Sequence, residues 1–417
     1  MTSDLHTEPR QLVITDARLA DGRRVDIVIT GERITEIVDH TPGVPRSVAS
    51  TGVDTFDAAG MLALAAFVEP HAHLDKALSA ERAPNPRGDL GGAIEAWIGY
   101  GPQLTVTDMA DRAERCARML LANGATVIRS HADVHGAVGL RAAEALIEAR
   151  RRLAGLVTVE ITALIGWPST GEAGVEERAR LAAALDMGVD HIGGCPYLEP
   201  DPLGAIDASL AMAAERGIGL DLHVDETLDP AILTVETLAE RVVATGFDGP
   251  VMASHCVSLG MQSSAVQQRV ADKVAAAGIS VVALPQTNLY LQSRALATAP
   301  PRGLTAIAAL RTAGVNVAGG ADNVQDPFNL VGRGDPLETA ALLVMAGHLS
   351  PDDALEAVSS RARRALGHEP VTLTPGSLAD LVVIDAGSVR EAVASGSATR
   401  TVVRHGRIVS SRRLVEQ

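Results

Sequence analysis

The sequence predicts a (β/α)8 barrel beside a small composite β-sandwich built from both chain ends. Three observations support this. The middle of the chain alternates eight apolar strand-like runs with helical patterns. Both ends are strand-rich and lack such helices. Histidine and acidic residues recur where the central strands stop, the position at which barrel enzymes carry their chemistry.

The N-terminal runs "QLVITDARL", "RRVDIVITGERITEIVD" and "GVDTFDAAG" alternate apolar and polar residues, with turns at "DGR" and "TGER". The runs "GSLADLVVIDAG" and "RTVVRHGRIVSS" repeat the pattern at the other end. Residues 1–66 and 367–417 are therefore expected to form the sandwich, and 67–366 the barrel. The eight barrel strands are expected near 63–69, 126–130, 157–164, 191–194, 219–223, 251–254, 280–284 and 316–319. Helical stretches such as "TDMADRAERCARMLLANG" and "AVQQRVADKVAAAG" lie between them and end in glycine. A doubly wound open sheet would normally show a glycine-rich phosphate loop after its first strand. Here that strand runs into "HAHLDK".

Bulk composition narrows the function. The 417 residues are 47% hydrophobic but only 2% aromatic, so the core is built from Ala, Val, Leu and Ile. Lys plus Arg number 36 against 51 Asp plus Glu, a net charge of −15, and no basic block stands out. This argues against nucleic acid as a partner. Cys116, Cys195 and Cys256 are far apart and read as lone thiols of a reducing compartment. The start "MTSDLHTEPR" has no leader pattern, and "AAGMLALAAFVEP" is too short to span a bilayer. A cytoplasmic protein with no membrane partner is expected.

The strand ends, read in order, carry the candidate chemistry. The first gives His71 and His73, the second His131, the fifth His223 and Glu226, the sixth His255, and the eighth Asp322 and Asn323. Side chains two apart on a strand share a face, so His71 and His73 can both point into the barrel mouth and bind one cation. Neutral imidazole suits Zn²⁺ or Fe²⁺. His223 can supply a third nitrogen and Asp322 a carboxylate oxygen, leaving a position for water. A bound metal lowers the pKa of that water from about 15.7 towards 7. Glu226, three residues past a ligand, can reach both the water and a substrate as acid/base. His131 reads as a core residue or one behind the ligands. His135, His191 and His348 read as structural or solvent-facing.

Together "FVEPHAHLDKAL", "VIRSHADV", "LDLHVDE", "MASHC", "LPQTNLYLQSR" and "GGADNVQDPFNLVGRGD" resemble the cytosine deaminase branch of the amidohydrolase superfamily. The closing "PGSLADLVVID" and "VVRHGRIV" resemble its C-terminal sandwich strands. The resemblance covers nearly the whole chain. It implies one divalent metal, zinc or iron, on His71, His73, His223 and Asp322. It further implies that Glu226 carries the proton and that His255 orients the attacking water or steadies developing charge. Asp322 also counts among the catalytic residues. The implied reaction is hydrolytic deamination of a small nitrogen heterocycle, a cytosine-like pyrimidine or an s-triazine, by a metal-activated water. The alternative is a cyclic-amide or N-alkylamine hydrolase on the same centre. A homo-oligomer is plausible for the family.

The departures from the cytosine enzymes bear on substrate. Their third-strand Gln is replaced in "IGWPSTGE", which offers Ser169. Asn323 follows the candidate ligand Asp322, and Lys76 replaces a smaller neutral residue. Both features resemble the side branch that hydrolyses alkylated ammelides. Phe328 is expected to pack on the ring, and Gln292 to contact the substrate. A Lys76 facing the metal would favour a carbonyl-rich or anionic ring.

Overall fold

The computed structural model describes residues 10–43 and 53–414. All but the last residue of the stretch read for a leader, and part of segment 1–66, lie outside them. Two eight-stranded sheets organise the chain. The mixed sheet contains β1 (Gln11–Arg18), β2 (Arg24–Thr30), β3 (Arg33–Asp39), β4 (Val53–Asp57) and β5 (Leu62–Ala65). The barrel follows with β6 (Phe67–Ala72), β7 (Ala125–Asp133), β8 (Thr158–Leu164), β9 (His191–Gly193), β10 (Leu220–Val224), β11 (Val251–His255), β12 (Ser280–Ala283) and β13 (Val317–Gly319). The mixed sheet is completed by β14 (Leu381–Ile384), β15 (Arg400–Arg404) and β16 (Arg407–Arg412).

The two ends do meet. β14 pairs antiparallel with β5, Leu381 opposite Ala65, joining the N- and C-terminal strands in one sheet. β1 pairs β2 on one side and β4 and β5 on the other. Residues from both arms, including Ile14, Ile27, Ala63, Leu381 and Val383, enclose a single apolar core. The sheet thus packs on itself, and the sandwich is one folded sheet. Alternation along β14 sends Val382 and Ile384 the other way, into the core of the barrel's helical layer.

The barrel strands pair in sequence order, all parallel, from β6 to β13. The expected first strand near 63–69 is two strands. Leu62–Ala65 belongs to the mixed sheet and Phe67–Ala72 to the barrel. An unbroken apolar run cannot reveal where the chain changes partners. Gly124 makes the join possible. Its amide oxygen accepts from Phe67 N at 2.9 Å, and a Cβ built there would lie 2.8 Å from the Phe67 ring.

Closure between β13 and β6 depends on Glu69, which is buried. Its carboxylate accepts from Ala321 N at 3.0 Å and from His71 N at 3.1 Å. Asp322 N donates to His71 O at 3.0 Å, and Ala72 bridges to Asp322. The β6–β7 pairing is irregular between Glu69 and Ala72. Beneath the mouth, Val68, Val127, Met252, Val282 and Leu284 pack with Ala362, Ala365 and Leu366 to plug the barrel floor.

Among the described residues, no helix is long and apolar enough to cross a membrane. The first strand-to-helix connection is long and carries its own helix, Leu90–Tyr100, capped by the Asp89 carboxylate on Gly92 N. That helix roofs one side of the barrel mouth.

Candidate metal centre and its cavity

The barrel mouth gathers five imidazoles. His71, His131 and His255 are fully or almost fully buried, and His73 and His223 are each 6% exposed. His73 Nε2 lies 3.1 Å from His223 Nε2 and 3.3 Å from Asp322 Oδ1. His71 Nε2 lies 3.6 Å from Asp322 Oδ1. Two donor atoms each about 2.0–2.1 Å from one zinc stand roughly 2.9–3.4 Å apart at right-angled or tetrahedral geometry. The 3.1 and 3.3 Å separations fall within that range, and the 3.6 Å one lies just beyond it. His71 Nε2 and both Asp322 oxygens are buried with no hydrogen-bond partner among the described residues. Buried polar atoms are seldom left so, and a cation between them would satisfy all three.

The protonation states suit ligation. Burial, with the neighbouring rings, pushes His71 and His223 well below the ordinary imidazole range; burial and Lys76 do the same to His73. Neutral imidazole is the form that binds a metal. Behind His71, Ser254 Oγ and His131 Nε2 lie 2.9 and 3.1 Å from Nδ1, which turns Nε2 towards Asp322. His131 therefore stands behind the cluster, and Asp221 lies beneath it, 3.6 Å from His131 Nε2.

Local backbone aims two further groups. His255 sits at the end of β11 with φ 69°, and Asp322 just beyond β13 with φ 64°. Side chains seldom adopt this left-handed region, and such residues cluster at functional sites. Glu226 stands across from the cluster, its Oε1 3.6 Å from His255 Nδ1. Burial and the Asp322 carboxylate raise the Glu226 carboxyl well above its usual range, despite a hydrogen bond from Tyr197. Burial lowers His255 to about 4. Asn288 Nδ2 lies 3.1 Å from His255 Nδ1.

A cavity of about 600 Å³, open to solvent, rises above these groups. It is bordered by His73, His223, Glu226, His255, Asp322 and, of the expected substrate contacts, Lys76, Asn323 and Phe328. The chain has two Trp, three Tyr and four Phe. Both tryptophans, with Tyr197 and Phe328, line this one cavity, as flat walls suited to a flat ring.

Two expected contacts fall elsewhere. Ser169 N is held by the Glu199 carboxylate at 2.9 Å and Ser169 O by Arg178 at 2.6 Å, which draws the turn outward. Trp167 fills the wall instead, and Ser169 borders a separate small pocket. Gln292 lies behind Glu226, its Nε2 donating to the Glu226 carbonyl at 3.3 Å.

Lys76 lines the cavity but is not a free cation. Its Nζ lies 2.7 Å from Asp133 Oδ1 and 3.2 Å from Asp75 Oδ2, and Trp97 Nε1 donates to the other Asp133 oxygen at 2.7 Å. Two carboxylates neutralise it, so the wall has no excess positive charge for an anionic ring. Sequence reasoning missed Asp133, Asp221, Glu69 and both tryptophans. Asp133 and Asp221 each stand two residues from a strand-end histidine, the spacing that singled out His71 and His73. His135, read as structural or solvent-facing, also borders the cavity.

A barrel with this cluster at its mouth defines a metal-dependent hydrolase class, and the comparisons agree. The amidohydrolase family profile matches residues 102–410, and the chain belongs to that family. Its members bind a divalent metal, and this chain is a hydrolytic enzyme acting on C–N bonds. It is 32% identical over 391 residues to the pterin deaminase of Rhizobium rhizogenes, covering 93% of this chain and 88% of that protein. The structure is similar to 5-methylcytosine deaminase from Klebsiella pneumoniae, with TM-score 0.87, 29% identity, and 97% and 98% of the two chains covered. It is also similar to N-isopropylammelide isopropylaminohydrolase from Burkholderia multivorans, with TM-score 0.82, 31% identity, and 96% and 98% covered.

Proposed function

We propose that this enzyme hydrolytically deaminates a flat, amino-substituted nitrogen heterocycle of the pyrimidine, fused pyrimidine or s-triazine type. The observation that carries the reading is the opposition of Glu226 to the cluster of His71, His73, His223 and Asp322 beneath four aromatic walls. Those four residues would hold one divalent ion, zinc or iron. Bound there, it supplies Lewis acidity that makes a water nucleophilic near neutral pH.

The chain's own groups do the rest. Glu226, held protonatable by burial and by Asp322, takes a proton from the water and returns it to a ring nitrogen. Tyr197 and the Gln292 contact to its backbone fix its place. An Asn288 amide that donates to His255 Nδ1 leaves the ring proton on Nε2, which has no other partner among the described residues. Nε2 then steadies charge developing as the ring carbon becomes tetrahedral. Trp97, Trp167 and Phe328 hold the ring flat and exclude water. The second proton of the added water then passes, again through Glu226, to the exocyclic nitrogen, the C–N bond breaks, the ring carbon becomes a carbonyl and ammonia leaves.

Likeness to an N-isopropylammelide hydrolase supports a second reading, in which an alkylamine leaves instead. Ammonia and product-mass assays on the metal-loaded enzyme separate the two, using cytosine, 5-methylcytosine, isocytosine, creatinine, ammelide, N-isopropylammelide and pterin. Glu226→Gln is expected to keep its metal and lose about 10²–10⁴-fold in turnover. Full activity in that variant refutes the acid/base assignment.

A further inference from the structure

The cavity over the cluster does not end at a ring-sized pocket. A second compartment of about 700 Å³, also open to solvent, adjoins it and shares Trp97, Ile98, His135 and Trp167. None of the candidate metal-holding residues borders it, nor does Glu226. A molecule spanning both would keep its ring at the cluster and send a substituent past the two tryptophans.

From this geometry we infer that the annex is a subsite for a neutral, hydroxyl- or amide-bearing arm of the substrate. The inference rests on the heterocycle reading above and adds the arm. The annex walls are small: Gly101, Gly136, Ala137 and Gly166 leave room where side chains would fill it. Gly166 is required there. A Cβ would lie 2.6 Å from His135 Cβ and 2.9 Å from Glu177 Oε2.

Glu177 determines the chemistry of the arm. One of its oxygens pairs with Arg180, while Oε2 is buried with no hydrogen-bond partner among the described residues. Arg180 already offsets the charge, so the missing partner is a donor rather than a cation. A hydroxyl or amide N–H on the arm satisfies Oε2. An alkyl arm leaves it unpaired, and a carboxylate arm brings a second acceptor where a donor is missing. His135, 3.4 Å from Asp133 Oδ2, marks the border between the ring pocket and the annex.

The test compares matched pairs on the metal-loaded enzyme: pterin with its 6-trihydroxypropyl derivative, and cytosine with 5-hydroxymethylcytosine. Both kcat/KM and calorimetric Kd are measured for wild type, Glu177→Leu and Ala137→Phe. Because only the ratio within a pair is read, loss of active protein in a variant cancels. A hydrogen bond to a charged acceptor predicts that the hydroxylated member of at least one pair is favoured about tenfold in wild type. Both variants should bring that ratio to within about twofold. Wild-type ratios near one in both pairs, or a preference that survives both substitutions, overturn the subsite and leave the annex as an entry path. If no member is turned over with metal bound, the pyrimidine and fused-pyrimidine forms of the deaminase reading fail instead, and the Kd ratios alone decide the annex.

Discussion

Replacing Lys76 with Met tests whether this side chain is a structural clamp or a free substrate contact. Lys76 is 3% exposed, and the carboxylates it joins, Asp75 and Asp133, are 0% and 2% exposed. Burial opposes its charge, but Asp133 and Asp75 more than offset this and raise its pKa. Methionine matches the stem and removes the ammonium. Asp133 then keeps Trp97 Nε1, and Asp75 keeps the Asp133 amide at 3.1 Å. Those two donors are neutral. The His135 imidazole, 3.4 Å from Asp133 Oδ2 and with its pKa raised against burial by that carboxylate, partly offsets Asp133, so Asp75 is the carboxylate left without a cation. Breaking such a pair by removing one partner costs about 3–5 kcal/mol. Unfolding entropy near 2.1 cal/mol/K per residue gives about 0.9 kcal/mol/K for a chain of this length. The melting temperature of the metal-loaded protein should therefore fall by about 3–6 °C in scanning calorimetry. Adding Asp75→Asn should recover part of the loss, because the stranded charge disappears. A fall under about 1 °C together with lost ligand binding would refute the clamp and return Lys76 to the substrate.

Three other perturbations report on separate parts of the fold. Gly124→Ala combines a φ of 107° with a Cβ 2.8 Å from Phe67, and should cost about 1–3 kcal/mol by thermal unfolding; an unchanged melt would show that the strand junction yields. Burial would raise the Glu160 carboxyl, but His191, His368 and Arg129 outweigh it and hold it well below the usual range. Because the folded pKa is the lower one, its stabilisation is complete above the ordinary carboxylate pKa of about 4.3 and is lost as pH falls below that. Glu160→Gln should accordingly lower the melting temperature at pH 7, and the gap to wild type should shrink in acid; a constant gap contradicts the linkage. Stripping the metal with a chelator should lower the melting temperature, since ligand at about 1,000 times its Kd contributes roughly 4 kcal/mol. Zn²⁺ or Fe²⁺ should restore it, and an indifferent melt would argue against a bound ion.

Much of the site was legible in one dimension because barrel chemistry sits at strand ends and strands alternate with period two. Seven apolar runs located barrel strands and the first straddled the junction into β6, and residues at the strand ends converge in space. His71, His73, His223, His255, Glu226 and Asp322 needed no tertiary information to be singled out. The resemblance to the cytosine deaminase branch pointed to the family to which the chain belongs.

Tertiary structure decided what stands around that cluster. The change of sheet between Ala65 and Phe67 depends on which strands pair, and local hydrophobicity is the same on either side. Trp97 comes from a helix inserted in a connecting segment, and Trp167 from the turn that carries Ser169 out of the cavity. Such segments follow no period, so their side chains cannot be aimed from spacing. The neutralisation of Lys76 by Asp133, 57 positions along the chain, is likewise a long-range contact. The strand pattern by itself determined the barrel and the residues that meet at its mouth, because backbone geometry repeats. Only packing between distant segments decided the charge and shape of the substrate's walls, because those depend on which side chains are brought side by side.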